Sequence, residues 1–231
     1  MRIKVGVSVL SSDFAQLKNE LKKCEEAGVD LIHLDIMDGH FVPNISFGPV
    51  VVEAVRRNTK LPLDAHLMIE NPELYLNSFN QSGADIITLH AECYGAPPAK
   101  QSLPRQIENI DIQKLKRDIQ LIKSFDINAA LAINPGTPLC FNELLPQLDM
   151  VLIMSVNPGF SGQKFMESVL PKIESLRKIY KGDIAVDGGI NDSTAKFAVK
   201  AGANILVTAS HFFSSADKKK LIDDFKLLGQ Q

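Results

Sequence analysis

The sequence predicts a single-domain α/β protein built as a (β/α)8 barrel, the TIM-barrel architecture. Short apolar segments rich in β-branched residues alternate with longer amphipathic segments along the 231 residues, and eight such pairs fit that length. The phrases AGVD, SGAD and AGAN recur where amphipathic segments give way to apolar ones, as expected of glycine C-caps that precede strands. A doubly wound open sheet is the alternative, but no GxGxxG motif follows the first strand.

Each predicted strand is a short run of apolar, often β-branched residues. In chain order, the strands cover residues 3–10, 30–36, 61–68, 85–90, 128–133, 150–155, 183–186 and 204–207. The intervening segments carry apolar residues at helical spacing and are predicted to be helices. They cover residues 14–27, 49–57, 72–82, 115–125, 139–145, 167–179 and 192–201.

Composition and charge are those of an ordinary soluble protein. Hydrophobic residues make up 45% and charged residues 23% of the chain. The 25 basic and 27 acidic residues nearly balance, which removes the electrostatic argument for nucleic-acid binding. No apolar stretch is long enough to cross a bilayer, the amino terminus lacks a signal-peptide pattern, and the three cysteines are scattered. The sequence therefore predicts a cytoplasmic protein without a disulfide framework and without nucleic-acid or membrane partners.

Acidic and imidazole side chains fall at the predicted carboxyl ends of the strands, where barrels of this type place catalysis. Alternation puts His33 and Asp35 on one face of the second strand, and His66 and Asp187 lie near the ends of the third and seventh. A lone His near an Asp is usually a structural pair, but four such groups at one rim are costly to bury without an ion or partners. A His/Asp set of this kind suits Zn²⁺, Fe²⁺, Co²⁺ or Mn²⁺.

Two glycine-bearing loops, residues 157–163 and 187–189, follow the sixth and seventh strands, and Ser210 follows the eighth. Their backbone N–H groups predict a phosphate site, because this barrel commonly binds phosphate beside its last strands. Tight turns alone would also explain the glycines. Three methionines lie at the same strand ends, where they fill the core or pack on a planar intermediate: Met37, Met68 and Met154.

Residues 93–111 break the alternation with three prolines and little periodicity. We expect an extended loop after the fourth strand, most simply a solvated excursion. An active-site cover and a subunit contact are the alternatives.

Five phrases of the sequence together resemble the ribulose-phosphate 3-epimerase family, a family of metal-dependent (β/α)8-barrel enzymes. They run in the family's order across nearly the whole chain, and the DxMDGxFVPN and NPGFxGQ patterns are highly specific. The phrases are SVLSSDF at 8–14, HLDIMDGHFVPNISFGP at 33–49, LPLDAHLMIENP at 61–72, MSVNPGFSGQKF at 154–165 and VDGGI at 186–190.

The resemblance implies a homo-oligomer with one divalent metal ion per subunit, Zn²⁺ first and Fe²⁺, Co²⁺ or Mn²⁺ as alternatives. It implies that His33, Asp35, His66 and Asp187 hold the metal, and that Asp35 and Asp187 are the acid/base pair. Ser8 and His66 would contact the sugar, and the three methionines would cap the reacting carbons. Phosphate would be bound by the backbone of residues in three loops: Gly159, Phe160, Ser161, Gly162, Gly188, Gly189, Ala209 and Ser210.

The implied reaction converts D-ribulose 5-phosphate to D-xylulose 5-phosphate by epimerisation at C3 through an enediolate. One base must remove a weakly acidic proton next to the carbonyl, and an acid on the opposite face must return one. Two aspartates on well-separated strands meet that need, and a metal ion near the C2 and C3 oxygens would stabilise the enediolate.

Three alternative functions remain open. A 3-epimerase of a hexulose phosphate, such as allulose 6-phosphate, is the nearest, although such relatives tend to carry other residues at Asn157 and Gly189. A phosphosugar lyase or decarboxylase of a related barrel would need a lysine that the Asp35-Ile-Met-Asp38 phrase lacks. A barrel that binds a phosphosugar without catalysis is the third.

The eighth strand departs from the family's usual Ala-Gly-Ser-Ala phrase, because this chain has Thr208-Ala209-Ser210-His211. Ala209 adds a methyl group where a backbone N–H should approach phosphate closely. We therefore predict weaker phosphate affinity without loss of chemistry, with His211 as a compensating donor.

Overall fold

The computed structural model describes residues 1–95, 107 and 109–230 of the chain. Eight parallel strands pair in chain order, and β1 also pairs with β8, so the sheet closes into a barrel. The predicted (β/α)8 fold class is thus confirmed. The strands are β1 (Lys4–Ser8), β2 (Leu31–Met37), β3 (Leu63–Met68), β4 (Ile86–His90), β5 (Asn128–Ile133), β6 (Met150–Met154), β7 (Asp183–Asp187) and β8 (Ile205–Thr208).

Amphipathic helices connect the strands and bury their apolar faces against the outside of the barrel. They are α1 (Leu17–Ala27), α2 (Pro49–Arg56), α3 (Leu76–Gln81), α4 (Ile112–Lys123), α5 (Leu170–Ile179), α6 (Thr194–Ala201), α7 (Ser210–Ser214) and α8 (Lys218–Leu227). The sequence analysis assigned no helix to the region of α7 and α8.

The predicted helix over residues 139–145 is wrong. Between β5 and β6 the chain forms a 3₁₀ helix, Asn142–Gln147. Pro146 lies inside it and lacks the N–H that an α-helix would use, so the segment stays in the tighter conformation.

The first strand also ends earlier than predicted. β1 stops at Ser8, whose hydroxyl oxygen accepts a hydrogen bond of 3.3 Å from the backbone N–H of Leu10. This contact caps a 3₁₀ turn, Val9–Ser11, in place of the last strand residues. The turn brings the chain over the rim of the barrel immediately beyond Ser8.

The strands are buried on both faces, as parallel sheets require. A large apolar cluster fills the space between the barrel and its helices. A second cluster fills the barrel interior with small and large side chains: Leu31, Ile86, Ala130, Ala132, Met150, Leu152, Met154, Val156, Ala185 and Ile205.

A repeated hydrogen bond closes the amino-terminal end of the barrel. The residue just before each even-numbered strand accepts, through its side chain, a backbone N–H at the start of the preceding odd-numbered strand, over 2.7–2.9 Å. Lysine or arginine side chains also contact all four acceptors. The acceptor and donor pairs are Asp30 with Val5, Asp85 with Leu63, Asp149 with Ala129, and Asn204 with Ile184.

The phrases AGVD, SGAD and AGAN therefore do more than end helices. Their last residues are Asp30, Asp85 and Asn204, three of the four side chains that accept these inter-strand hydrogen bonds. The weak internal repeat of the sequence is thus a repeat of strand-to-strand connections.

The predicted loop over residues 93–111 lies mostly outside the described residues. Its two ends are described, and Gly95 pairs with Ile110 in an isolated antiparallel bridge. The backbone N–H of Asp111 donates to the carbonyl of Tyr94 over 2.7 Å. Within the described part of the chain, none of the helices is long and apolar enough to cross a membrane.

Candidate active site

A cavity of about 590 Å³ opens at the carboxyl ends of the strands. Its lining includes most of the residues predicted to bind substrate or metal. These are Asp35, Met37, Met68, Met154, Gly159, Phe160, Ser161, Gly162, Asp187, Gly188, Gly189, Ala209 and Ser210.

Four side chains from three strands converge at this cavity. One potential ligand atom from each of His33, Asp35, His66 and Asp187 lies within 4.8 Å of the other three. The parallel register explains the convergence, because Asp35 of β2 lies opposite His66 of β3. His33 Nε2 lies 3.3 Å from Asp35 Oδ1 and 3.8 Å from Asp187 Oδ2.

The donor set fits a divalent cation. Two imidazole nitrogens, His33 Nε2 and His66 Nδ1, face the carboxylates and lie 3.1 Å apart. The other nitrogen of each ring is engaged elsewhere: His33 Nδ1 lies 2.8 Å from Asp64 Oδ2, and His66 Nε2 lies 2.7 Å from His90 Nε2. Metal-ligating histidines have such outer partners, which fix the ring and its tautomer.

Burial and neighbouring charge separate the two aspartates electrostatically. Burial raises the pKa of Asp35, but His33 and His66 outweigh this effect and hold that pKa well below its ordinary value. Burial, reinforced by the charge of Asp35, raises the pKa of Asp187 to about 7. Near neutral pH the site thus contains one firmly ionised carboxylate and one carboxyl group that readily gains or loses a proton.

The two histidines also differ. The pKa of His66 is lowered to about 4, chiefly by burial; Asp35 opposes this shift, and the neighbouring His90 and His33 reinforce it. At His33 burial acts in the same direction, but the charges of Asp35 and Asp64 raise the pKa well above its ordinary value.

Ser8 and His66 lie beneath the cavity floor and are not among the described residues that line it. The hydroxyl of Ser8 donates to Asp35 Oδ2, so Ser8 orients the carboxylate. The predicted contact of both residues with the sugar stays a prediction.

The DGHFVPN phrase forms a rigid loop after β2. Asp38 Oδ1 accepts the backbone N–H groups of His40 and Phe41, and its Oδ2 accepts that of Glu70, each over 2.8 Å. Asn44 Nδ2 then donates to the carbonyl of Gly159 over 2.8 Å. The sequence analysis gave Asp38 and Asn44 no role, although both belong to its most specific phrase.

The two glycine-bearing loops pack directly on one another. Gly188 and Gly189 have φ values of +116° and +63°, which residues with a side chain rarely adopt. A Cβ atom on Gly189 would lie 2.5 Å from the backbone nitrogen of Phe165. The Gln163 amide donates to the carbonyls of Asn157 and Phe160, which closes the first loop.

After β8, Ala209 lines the cavity, with a φ of −137° and a ψ of −95°. His211 also lines the cavity, but its Nε2 lies 3.2 Å from Asp192 Oδ1. If His211 donates to phosphate, the carboxylate of Asp192 competes for the same nitrogen.

The three predicted methionines are buried and line the cavity. Met37 and Met68 pack with Phe41 and Val42, whereas Met154 belongs to the barrel interior. They form an apolar wall above the polar floor.

Comparison with known proteins extends the resemblance found in the sequence. A family model described as the ribulose-phosphate 3 epimerase family matches residues 4–213. Ribulose-phosphate 3-epimerase of Bacillus subtilis is 47% identical over 97% of this chain and 98% of the relative. That of Methanocaldococcus jannaschii is 43% identical over 97% of this chain and 90% of the relative. The chloroplastic ribulose-5-phosphate-3-epimerase of Arabidopsis thaliana is 45% identical over 97% and 76%.

Solved structures with low sequence identity share the barrel alone. The 3-hexulose-6-phosphate synthase of Salmonella typhimurium superposes with a TM-score of 0.68 at 16% identity, over 99% of each chain. A mutant tryptophan synthase α-subunit of Pyrococcus furiosus superposes with a TM-score of 0.62 at 16% identity, over 99% of this chain and 100% of that one. Taken with the family match and the full-length relatives, the chain belongs to the ribulose-phosphate 3-epimerase family and is a carbohydrate epimerase.

Proposed function

We propose that this chain epimerises D-ribulose 5-phosphate and D-xylulose 5-phosphate at C3 with Asp35 and Asp187 as the acid/base pair. The observation that carries the proposal is the opposite displacement of their two pKa values at one cavity floor. Carboxyl groups separated in this way serve as base and acid near neutral pH.

The reaction needs a proton to leave one face of C3 and another to arrive at the opposite face. In one direction, ionised Asp35 takes the C3 proton, and the electrons of the C–H bond form the C2–C3 double bond of an enediolate. Protonated Asp187 then donates to C3 from the other side, and the carbonyl at C2 is restored. The reverse direction exchanges the two roles.

His33, Asp35, His66 and Asp187 are the residues that would hold a divalent cation. When bound, the cation supplies positive charge that stabilises the negative charge developing on the substrate oxygens, an effect worth several kcal/mol. Mixed imidazole and carboxylate ligands favour Zn²⁺ first, with Fe²⁺, Co²⁺ and Mn²⁺ as alternatives. Ser8 holds the Asp35 carboxylate in place through its hydroxyl.

The phosphate group would be bound by the backbone N–H groups of the loops around residues 159–162, 188–189 and 209–210. All three loops line the cavity, and the loop after β6 packs against Gly189 of the loop after β7. Binding energy gained at phosphate, remote from C3, fixes the reacting carbon between the two aspartates. The methionine wall excludes water from the apolar face of the planar enediolate.

Proton NMR in D₂O tests the proposal. With D-ribulose 5-phosphate and the metal-loaded protein, we expect the C3 proton signal to disappear as D-xylulose 5-phosphate forms. Asp187→Asn should abolish both changes, whereas Asp223→Asn, on the exposed face of α8, should leave them intact. Full retention of the C3 proton by the wild-type protein overturns the proposal, and D-allulose 6-phosphate would then be tested as the hexulose alternative.

The homo-oligomer implied by the resemblance stays a prediction. Light scattering coupled to size-exclusion chromatography gives the mass directly, against 25.4 kDa for one chain.

A further inference from the structure

A chain of buried polar groups continues from the candidate metal site into the protein interior. His66 Nε2 lies 2.7 Å from His90 Nε2, and His90 Nδ1 lies 3.1 Å from Glu92 Oε2. All three side chains are at least 98% buried. Neither His90 nor Glu92 lines the cavity, and the mechanism above uses neither of them.

The far end of this chain is a carboxylate that only accepts. Glu92 Oε1 receives the backbone N–H of Asn134 over 2.8 Å, so Oε2 remains for His90. Because a carboxylate has no proton to give, a neutral His90 carries its proton on Nδ1 and leaves Nε2 bare. A bare His90 Nε2 accepts a hydrogen bond, so His66 carries its own proton on Nε2. His66 Nδ1 then keeps its lone pair, which faces the candidate metal site and lies 3.1 Å from both His33 Nε2 and Asp35 Oδ1.

His33, the other histidine that faces the candidate metal site, is also held by a carboxylate, but without an intervening imidazole. His33 Nδ1 lies 2.8 Å from Asp64 Oδ2, and Asp64 Oδ1 accepts the hydroxyl of Thr88 over 2.6 Å. One carboxylate thus fixes His33 directly, and a second carboxylate fixes His66 through an intervening imidazole.

Neighbouring groups hold His66, His90 and Glu92 in place. The rings of His90 and His66 meet end to end through their Nε2 atoms, with centroids 4.8 Å apart and planes inclined by 23°, and Phe41 packs on His90 with centroids also 4.8 Å apart. On the other side, the ammonium group of Lys172 donates to the carbonyls of Asn134, Pro135 and Thr137 over 2.5–2.8 Å. That contact fixes the loop whose N–H group binds Glu92.

We propose that His90 and Glu92 are positioning residues that set the tautomer of His66 and so present its Nδ1 to the metal ion. The proposal rests on the metal site of the proposed function and extends it to two residues behind the ligand shell. Outer partners of this kind typically change metal affinity by about 10–100-fold when they are altered.

Glu92→Gln is the sharpest test, because it should reverse the direction of donation in the hydrogen bonds that link residue 92, His90 and His66. The amide oxygen must accept the backbone N–H of Asn134, so the amide NH₂ faces His90 and requires a bare Nδ1. His90 then carries its proton on Nε2, and His66 must place its own proton on Nδ1, where it blocks the metal. His90→Gln should preserve the wild-type direction of these hydrogen bonds. The carbonyl of the introduced amide can accept from His66 while its NH₂ group donates to Glu92.

Two measurements on the full-length protein decide the question. Cobalt(II) titration of the metal-stripped protein, followed by visible absorption, should give an affinity about 10–100-fold lower for Glu92→Gln than for the wild type. His90→Gln should retain much more of the affinity. Asp118→Asn is the matched control, because it changes another buried carboxylate to an amide, at a site that contacts Tyr94 instead. Long-range ¹H–¹⁵N NMR of the metal-stripped imidazoles should place the proton of His66 on Nε2 in the wild type and on Nδ1 in Glu92→Gln.

Unchanged cobalt affinity and an unchanged His66 tautomer in Glu92→Gln would overturn the inference while leaving the proposed function intact. If Glu92→Gln does not fold, His90→Gln provides the test. A His66 proton found on Nδ1 in that variant contradicts the proposal. A wild-type protein that binds no cobalt overturns the metal site of the proposed function, and the NMR comparison still tests the tautomer chain.

Discussion

The side-chain amide of Asn44 donates a hydrogen bond of 2.8 Å to the backbone carbonyl of Gly159. This contact joins the DGHFVPN loop after β2 to the glycine-bearing loop after β6, across 115 residues of sequence. The two most specific phrases of the sequence are thus parts of one wall. The position of the proposed phosphate loop depends on a residue outside it.

Asn44→Ala should therefore weaken substrate binding more than it slows the chemistry. The substitution removes the hydrogen bond to Gly159 and the one that Asn44 Oδ1 accepts from the Ile45 N–H. Loss of the first, at about 0.5–1.5 kcal/mol, corresponds to a rise in KM of about 2–13-fold with a smaller change in kcat. Steady-state kinetics with D-ribulose 5-phosphate measure both. Asn58→Ala is the control, because the exposed Asn58 side chain donates to the carbonyl of Ala54, four residues earlier in the chain. Equal KM values for Asn44→Ala and the wild type would contradict this role.

Gly189→Ala should damage the phosphate site through its backbone. The added Cβ would meet the nitrogen of Phe165 at 2.5 Å, and the φ of +63° disfavours any side chain. We expect KM to rise and the free energy of unfolding to fall by about 1–3 kcal/mol. Gly28→Ala separates the two causes, since Gly28 has a φ of +80° with no atom within 4 Å of its added Cβ. That control should lose about 1 kcal/mol of stability with KM unchanged.

Asp187→Asn should stabilise the metal-stripped protein above neutral pH while it removes activity. Burial and Asp35 raise the pKa of Asp187 to about 7, well above the ordinary value of 3.8. A raised pKa means that the stability contributed by this group is fully present below about pH 4 and is lost as pH rises through about 7. The neutral amide avoids that loss.

Thermal unfolding in EDTA measures this effect. Near pH 8 the Tm of Asp187→Asn should exceed that of the wild type by several degrees, at about 2–4 °C per kcal/mol. The difference should vanish near pH 4. Added divalent metal should raise the Tm of the wild type more than that of the variant, because binding to the folded state stabilises it. A variant that is less stable than the wild type in EDTA near pH 8 would count against the pKa assignment.

The inter-strand hydrogen bonds at the amino-terminal end should contribute to stability without affecting catalysis. Asp85 Oδ2 accepts the N–H of Leu63 over 2.8 Å and also contacts Arg56. Asp85→Ala leaves a strand N–H without its acceptor, so urea unfolding should show a loss of about 1–3 kcal/mol. Asp85→Asn keeps a carbonyl acceptor and should lose less. If Asp85→Ala also lowers kcat of the folded protein, the role of Asp85 is not purely structural.

Ala209→Gly should lower KM. Ala209 lines the cavity, and the substitution removes its methyl group from the approach to phosphate. Inhibition by inorganic phosphate provides a second measure, and its inhibition constant should fall in parallel with KM. If neither constant falls, the family departure at this position has no effect on phosphate binding.

Local patterns in the sequence were sufficient for the barrel and for the cluster of His33, Asp35, His66 and Asp187. Strand periodicity and strand count predict a closed parallel sheet, and alternation along β2 puts His33 and Asp35 on one face. The fold class is confirmed, and the structure brings all four predicted ligands within 4.8 Å. These features depend on spacing within one segment or on the rule that parallel strands end at one rim.

The tertiary structure alone decided which residues contact that cluster. The pairings of Asp64 with His33, of His90 with His66 and of Asn44 with Gly159 depend on inter-strand register and loop packing. The sequence analysis gave Asp64 no partner and passed over the His90-Ala-Glu92 phrase at the end of β4. The opposite pKa displacements of Asp35 and Asp187 likewise follow from burial and from charges on other strands. Periodicity reports which way a side chain faces, whereas its partners, its burial and its proton are set by chain segments that are distant in sequence.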